Sequence, residues 1–147
     1  MRVRHVVKGD VREILALSAA HVEEVFPHLS FDHAHAEANF HALVGSPEVG
    51  AFCVERDEKL IGWVCGTRST YRFCSGIYAE LEVLYVQPEN RGSRAAALLV
   101  TSFLDWAERS GATDIFLSAS NPKTAPRVGR MFQKFGAEHV GYVFVKR

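Results

Sequence analysis

The stretch YVQPENRGSRAAALLV, Tyr85 to Val100, leaves an apolar run through Pro88 and two polar residues, turns at Arg91-Gly92 and enters a second apolar run rich in alanine. Ala96, Leu99, Val100, Phe103 and Ala107 recur at intervals of three and four, so the spacing predicts a helix from about Gly92 to Arg109, closed by Ser110-Gly111. A helix start exposes N–H groups that have no intrahelical acceptor, together with the positive end of the helix dipole. Where Gly92, Ser93, Ala95, Ala96 and Ala97 supply that start, almost no side chain stands in the way of a phosphate. The same alanines also have a plain use, letting a helix lie close to a sheet. Arg91 divides evenly between a solvated arginine and a phosphate ligand. The surroundings of the loop must decide.

IYAELEVLYV, residues 77–86, reads as the strand leading into the loop, and TDIFLSAS, residues 113–120, as the strand that follows the helix. This β-α-β passage requires a parallel, right-handed crossover. Toward the N-terminus, RVRHVV predicts a first strand, and Gly9-Asp10 opens a helix with Val11, Ile14, Leu15, Ser18, Val22 and Val25 at helical spacing, stopping near Pro27. Asp32 suits the N-cap of a second helix with Ala36, Phe40, Leu43 and Val44 inward, ended by Gly45-Ser46-Pro47. GAFCVERDEKLIGWVCGTR forms a hairpin about a charged turn at Asp57 to Lys59. Beyond the crossover, Val128, Met131, Phe132 and Phe135 mark a fourth helix, entered through Thr124-Ala125-Pro126 and closed by Gly136, and HVGYVFVKR supplies a last strand. The sum is an α/β fold in one domain, residues 1–147, with about four helices covering a mixed, mostly antiparallel sheet.

Composition narrows the partners. With 147 residues, 48% of them hydrophobic, the chain is long enough for one real core. Seventeen basic residues balance seventeen acidic ones, so there is no electrostatic footprint for nucleic acid. No apolar stretch approaches the ~18 to 20 residues that a membrane span needs, and MRVRHVVKGD lacks a signal-peptide core. Cys53 and Cys65 lie in apolar runs, and with Cys74 the count is odd, which suits small buried hydrophobes in a reducing compartment. The expected location is the cytoplasm.

LYVQPENRGSRAAALL resembles the acetyl-CoA loop of the GNAT superfamily of N-acetyltransferases, whose pattern is an aliphatic strand, V-x-P-x-x-R-G-x-G-x-G/A, then a helix. Val86, Pro88, Arg91, Gly92 and Ala96 match in register. WAERSGATDIFLSAS is similar to the family's helix end, Gly-Ala and fifth strand, and MFQKFGA to its fourth helix. The order of elements agrees from first strand to last, so the resemblance covers nearly the whole chain. It implies the GNAT (acyl-CoA N-acyltransferase) fold and acetyl-CoA as cosubstrate, with no metal. The pyrophosphate would rest on Arg91, Gly92, Ser93, Arg94, Ala95, Ala96 and Ala97. Backbone N–H groups of Leu84, Tyr85 and Val86 would hold the pantetheine arm and polarise the acyl carbonyl.

Two positions depart from the pattern. Arg94 stands where the family usually has glycine, so its side chain either points away from the pyrophosphate seat or adds a cationic contact to it. Phe132 stands where many members carry the tyrosine that protonates the departing thiolate. That acid therefore does not carry over, and Tyr142 and Tyr85 are the substitutes available. Its loss is tolerable, because a thiol of pKa ~8.5 leaves as a thiolate that water can protonate.

Strict alternation along residues 77–86 places Tyr78, Glu80, Glu82, Leu84 and Val86 on one face and Ala79, Leu81, Val83 and Tyr85 on the other. Two carboxylates thus share one face of the strand that enters the turn. Without the loop this reads as a solvated face. With the loop, the carboxylates acquire a chemical purpose, because a primary amine of pKa ~10.4 is protonated at pH 7 and must lose that proton before its nitrogen can attack a thioester. By the resemblance, Glu80 sits where histone-type enzymes keep their basic glutamate, and Glu82 where polyamine and aminoglycoside enzymes keep theirs. Glu82 is favoured, being nearer the turn.

The expected activity is acetyl transfer to a primary amine, on a small molecule or a peptide, with a homodimer as an option. The alternative is a non-catalytic acyl-CoA-binding or regulatory module, to which Phe132 and Arg94 point. His21, His28, His33, His35 and His41 crowd the first two helices, but the two-residue spacing of His33 and His35 diverges on a helix and does not suit a zinc pair. Tyr71, Arg72 and Phe73 precede Gly76 in a loop that either reaches the acceptor or simply turns.

Overall fold

The computed structural model describes all of residues 1–147 and divides into two compact units, Met1–Phe116 and Leu117–Arg147. The strands are β1 (Arg2–His5), β2 (Val49–Arg56), β3 (Lys59–Thr70), β4 (Ile77–Val86) and β5 (Asp114–Leu117), in the order β1-β2-β3-β4-β5. The first four are antiparallel neighbours, and the sheet as a whole is mixed. The first unit also carries α1 (Val11–Val25), α2 (His33–Leu43) and α3 (Ala95–Arg109). Asp32 caps α2 by accepting the N–H of His35 at 3.0 Å. Asp57 and Glu58 have φ of 52° and 64°, and two successive left-handed residues match the twist of a two-residue hairpin between β2 and β3.

One face of the sheet packs under α1 and α2, where Ile14, Leu17, Cys53, Trp63 and Tyr85 form a buried cluster. The other packs under α3, which lies on β2, β3 and β4. Its Leu99, Val100 and Phe103 are fully buried, as are Val54 and Val64 of the strands. Each such side chain contributes about 1.5 to 3 kcal/mol by leaving water.

The alternation expected along β4 breaks at Glu82. Cys65 pairs with Val83 but Gly66 with Leu81, so Glu82 is an extra residue in a β-bulge. The bulge turns Val83 and Tyr85 to the α1 face, where both pack in the cluster just described, while Leu81 stays buried on the α3 side. Gly66 makes the distortion feasible, since a Cβ there would overlap the Glu80 carbonyl oxygen and the Phe103 ring. The third helix also starts later than its apolar spacing predicts, at Ala95. Arg91 is extended with ψ of 144°, and Gly92 sits at φ of 89°, so neither residue is helical.

The second unit contains α4 (Ala125–Lys134), with Pro126 in its first turn and Phe132 as its buried side chain. Gly136 at φ of 93° closes it, and the Ala137 N–H donates to the Phe132 carbonyl at 3.1 Å. The last strand expected at HVGYVFVKR does not form, and Tyr142, Val143 and Phe144 are 81% to 93% exposed. Alternating apolar residues confer strand propensity, but a strand exists only where a neighbour completes its hydrogen-bond ladder. No helix of the chain is long and apolar enough to cross a membrane.

Candidate active site

Thr67 organises the carboxylates. It pairs with Glu80 across the β3–β4 ladder and donates its hydroxyl to Oε1 of Glu82 at 2.7 Å. Cys65, two residues earlier on the same face of β3, lies in the core under α1, so Glu80 and Glu82 do share a face, and both are exposed. Their companions there are Val83 and Tyr85, not Leu84 and Val86. Burial pushes the Cys65 thiol up to about 12, with the charge of Glu82 adding to it.

The upper part of β4 has an open edge. The Thr113 N–H donates to the Ile77 carbonyl at 2.8 Å, which sets the start of β5 against the start of β4. β5 then spans four residues against the ten of β4. Leu84, Tyr85 and Val86 lie past its reach, so β5 does not cover the outward main-chain groups of this stretch, of which the Val86 carbonyl is taken by Arg91.

The loop that follows is held by its own side chains. The Ser93 hydroxyl donates to the Asn90 carbonyl at 2.7 Å and accepts the Ala95 N–H at 3.2 Å. Arg94 occupies the N-cap, is exposed and makes no cap hydrogen bond. Ala95 is fully buried while Ala96 and Ala97 are half-buried, so the first turn of α3 packs closely and leaves the Ala96 and Ala97 amides without an intrahelical acceptor.

Of the two parts its position suggested, the solvated arginine is not the one Arg91 plays. Its guanidinium forks onto Glu24 of α1, with Nη1 to Oε1 at 2.8 Å and Nη2 to Oε2 at 2.6 Å, and Nε donates to the Val86 carbonyl at 2.9 Å. It also lies over the Tyr85 ring, 5.6 Å from the centroid. The hydrogen bonds to Glu24 hold the Arg91 guanidinium more firmly charged. Arg91 therefore latches the loop to the C-terminal end of α1. His21 meets Tyr85 edge-on at 5.5 Å, and its imidazole is pushed below its ordinary value, chiefly by burial. Burial likewise raises the Tyr85 phenol.

An open groove of about 1070 Å³ runs between α1 and the tips of β2–β3 and β4. Its wall includes Tyr85 and Asn90 but neither Glu80 nor Glu82. The histidines are dispersed, and no group of three or more metal-ligating side chains comes together. Sequence reasoning missed Thr67, Glu24 and the bulge. Only the bulge had a local sign, a glycine at position 66 inside a strand.

The sequence profile of the Acetyltransferase (GNAT) family matches residues 12–137. No curated protein sequence matches the chain at a significant level. Among solved structures, it is similar to the ribosomal-protein-alanine N-acetyltransferase of Brucella melitensis biovar Abortus 2308, at 19% identity and a TM-score of 0.76, covering 99% of this chain and 97% of that one. An aminoglycoside N-acetyltransferase in complex with coenzyme A is similar at 18% identity and a TM-score of 0.79, covering 99% and 93%. A transcriptional regulator from Bacillus halodurans C-125 is similar at 16% identity and a TM-score of 0.78, covering 99% of each chain. These likenesses establish a shared fold, which by itself hosts more than one function.

Proposed function

Because the chain belongs to the GNAT family of acetyltransferases, we propose that it transfers the acetyl group of acetyl-CoA to a primary amine, with Glu82 as general base and Glu80 as its neighbour. The observation that carries this reading is the bulge at Glu82, which sets an exposed carboxylate oriented by Thr67 just before the open edge of β4. An exposed, hydrogen-bonded carboxylate can take the ammonium proton directly or through a water. The uncharged nitrogen then attacks the acyl carbon and displaces the thiolate without a covalent enzyme intermediate.

The residues present fit the cosubstrate. Ser93, Ala95, Ala96 and Ala97 offer a small-residue helix start to a diphosphate, Gly92 gives it room, and exposed Arg94 adds positive charge at the rim. Acetyl-CoA supplies the activated acetyl group as a thioester. N–H groups from Leu84 to Val86 would polarise its carbonyl. Arg91 positions this seat through Glu24 and is not itself spent on phosphate.

The test is Glu82→Gln and Glu80→Gln, each assayed across pH. Glu82→Gln should lower kcat about 100-fold, the low end of what a positioned base contributes, and flatten the acid limb of the rate profile. Unchanged rates in both variants remove the assignment. Coenzyme A binding without turnover on any amine would favour the non-catalytic module instead.

A further inference from the structure

Four aromatic rings form a strip on the sheet face that carries the carboxylates. Phe73 stacks on Tyr71 with centroids 5.4 Å apart, Tyr71 lies 4.9 Å from Tyr78, and Tyr78 meets Phe116 edge-on at 6.0 Å. Tyr78 precedes Glu80 by two residues, which puts their Cα atoms about 7 Å apart on one face. The strip begins beside the base and runs away from the cofactor loop.

The strip is built rather than accidental. The Tyr71 N–H donates to the Gly76 carbonyl at 3.0 Å, closing the loop between β3 and β4, and the Tyr71 hydroxyl donates to Asp114. The Thr113 N–H and hydroxyl both donate to the Ile77 carbonyl, at 2.8 and 3.0 Å, tying the start of β5 to the same place. Core packing does not account for the arrangement, since Phe73 is 85% and Phe116 42% exposed. Ordered rings left in water mark a surface with something to bind. Glu80, Glu82 and Asp114 border it, with exposed Arg72 in the loop at its far end, so the surface is apolar along its length and anionic where it approaches the carboxylates. Such a surface complements a ligand that is both aromatic and cationic.

We propose that this strip is the docking platform of the acceptor, and that the acceptors are amines bearing an aromatic ring on a short linker. This deepens the acetyl-transfer reading above and rests on it. The ring lies on Tyr78 and Phe116 while the nitrogen reaches the carboxylates. Tyr71 and Phe73 support the platform from its far end.

The experiment titrates phenethylamine and n-propylamine into the coenzyme A-saturated protein by calorimetry, then assays both as acceptors with acetyl-CoA. Phenethylamine should bind at least tenfold more tightly. Tyr78→Leu, which keeps apolar bulk, and Phe116→Ala, at a half-exposed site, should each reduce the ratio to below threefold and raise KM for phenethylamine more than they lower kcat. Equal affinities, no binding of either amine, or a ratio unmoved by both variants overturns the platform. Preference without turnover of phenethylamine leaves an aromatic-amine binding surface but overturns it as the acceptor's platform. Turnover of both amines without preference overturns the platform and leaves the acetyl-transfer reading standing.

Discussion

Two arginine–carboxylate forks hold opposite ends of α1, and different things depend on them. At the N-terminal end, Arg4 donates to both oxygens of Asp10 at 2.7 and 2.9 Å, and Asp10 also accepts the Val7 N–H at 2.8 Å. At the C-terminal end, Arg91 forks onto Glu24 and holds the Val86 carbonyl. The first pair closes 6 residues of chain and the second 67. Asp10 is 7% exposed, so its pair is part of the framework. The second pair is about as sheltered, with side chains 24% and 15% exposed against 26% and 9% in the first, but it fixes the loop that enters α3. The same chemistry thus secures the framework at one end and the conformation of the loop entering α3 at the other.

The largest effect is expected at the first fork. Arg4→Met leaves the Asp10 carboxylate buried and unpaired and should cost about 3 kcal/mol, read as a fall in the urea midpoint at unchanged m. Coenzyme A affinity of the folded protein should be unaltered. At the second fork, Arg91→Met and Glu24→Gln should each cost about 1 to 2 kcal/mol, and both should weaken coenzyme A binding several-fold. The contrast between the forks breaks if Arg91→Met weakens that binding and Glu24→Gln does not, because Arg91 would then be serving phosphate directly.

The smallest effects separate the forks by pH. The hydrogen bonds from Arg4 hold the Asp10 carboxyl below the usual carboxylate range, against the opposing pull of burial. The stability it lends is complete above about pH 4 and is lost as the pH falls through the depressed folded value. His21, beside the second fork, is depressed by burial, so folding favours its neutral form. Its penalty is absent above about pH 6.5 and grows as the pH falls from there toward the lowered folded value. Stability measured against pH should therefore decline first as the pH falls below about 6.5, a slope that His21→Gln removes, and again below about 4, a slope that Asp10→Asn removes. A single decline below pH 4 would show that protonating His21 does not load the second fork.

Most of the fold was legible because its signals are local. The face of α3 through Leu99, Val100, Phe103 and Ala107 follows from spacing alone, as do the Asp32 cap and the turn at Asp57. The candidate site was legible in part. Glu80 and Glu82 share a face as alternation requires, but the bulge exchanges their companions, and a sheet register is set by the partner strand rather than by β4 itself. Position alone left Arg91 undecided, since its partner Glu24 lies in α1, 67 residues away in the chain. HVGYVFVKR had the pattern of a strand but pairs with no neighbour, and pairing is not written in the segment itself.

By itself the sequence determined the kind and order of most elements, which helix faces are apolar, and that a small-residue helix start follows a strand bearing two carboxylates. Caps, turns and periodicity act over a few residues, so the chain carries them wherever it goes. Tertiary structure alone decided that Glu24 takes the guanidinium of Arg91, that Thr67 orients Glu82, and that Tyr71, Tyr78 and Phe116 line up beside the carboxylates. Those contacts join residues that only the closed sheet brings within hydrogen-bond or ring-contact reach, and their energy exists only once it has closed.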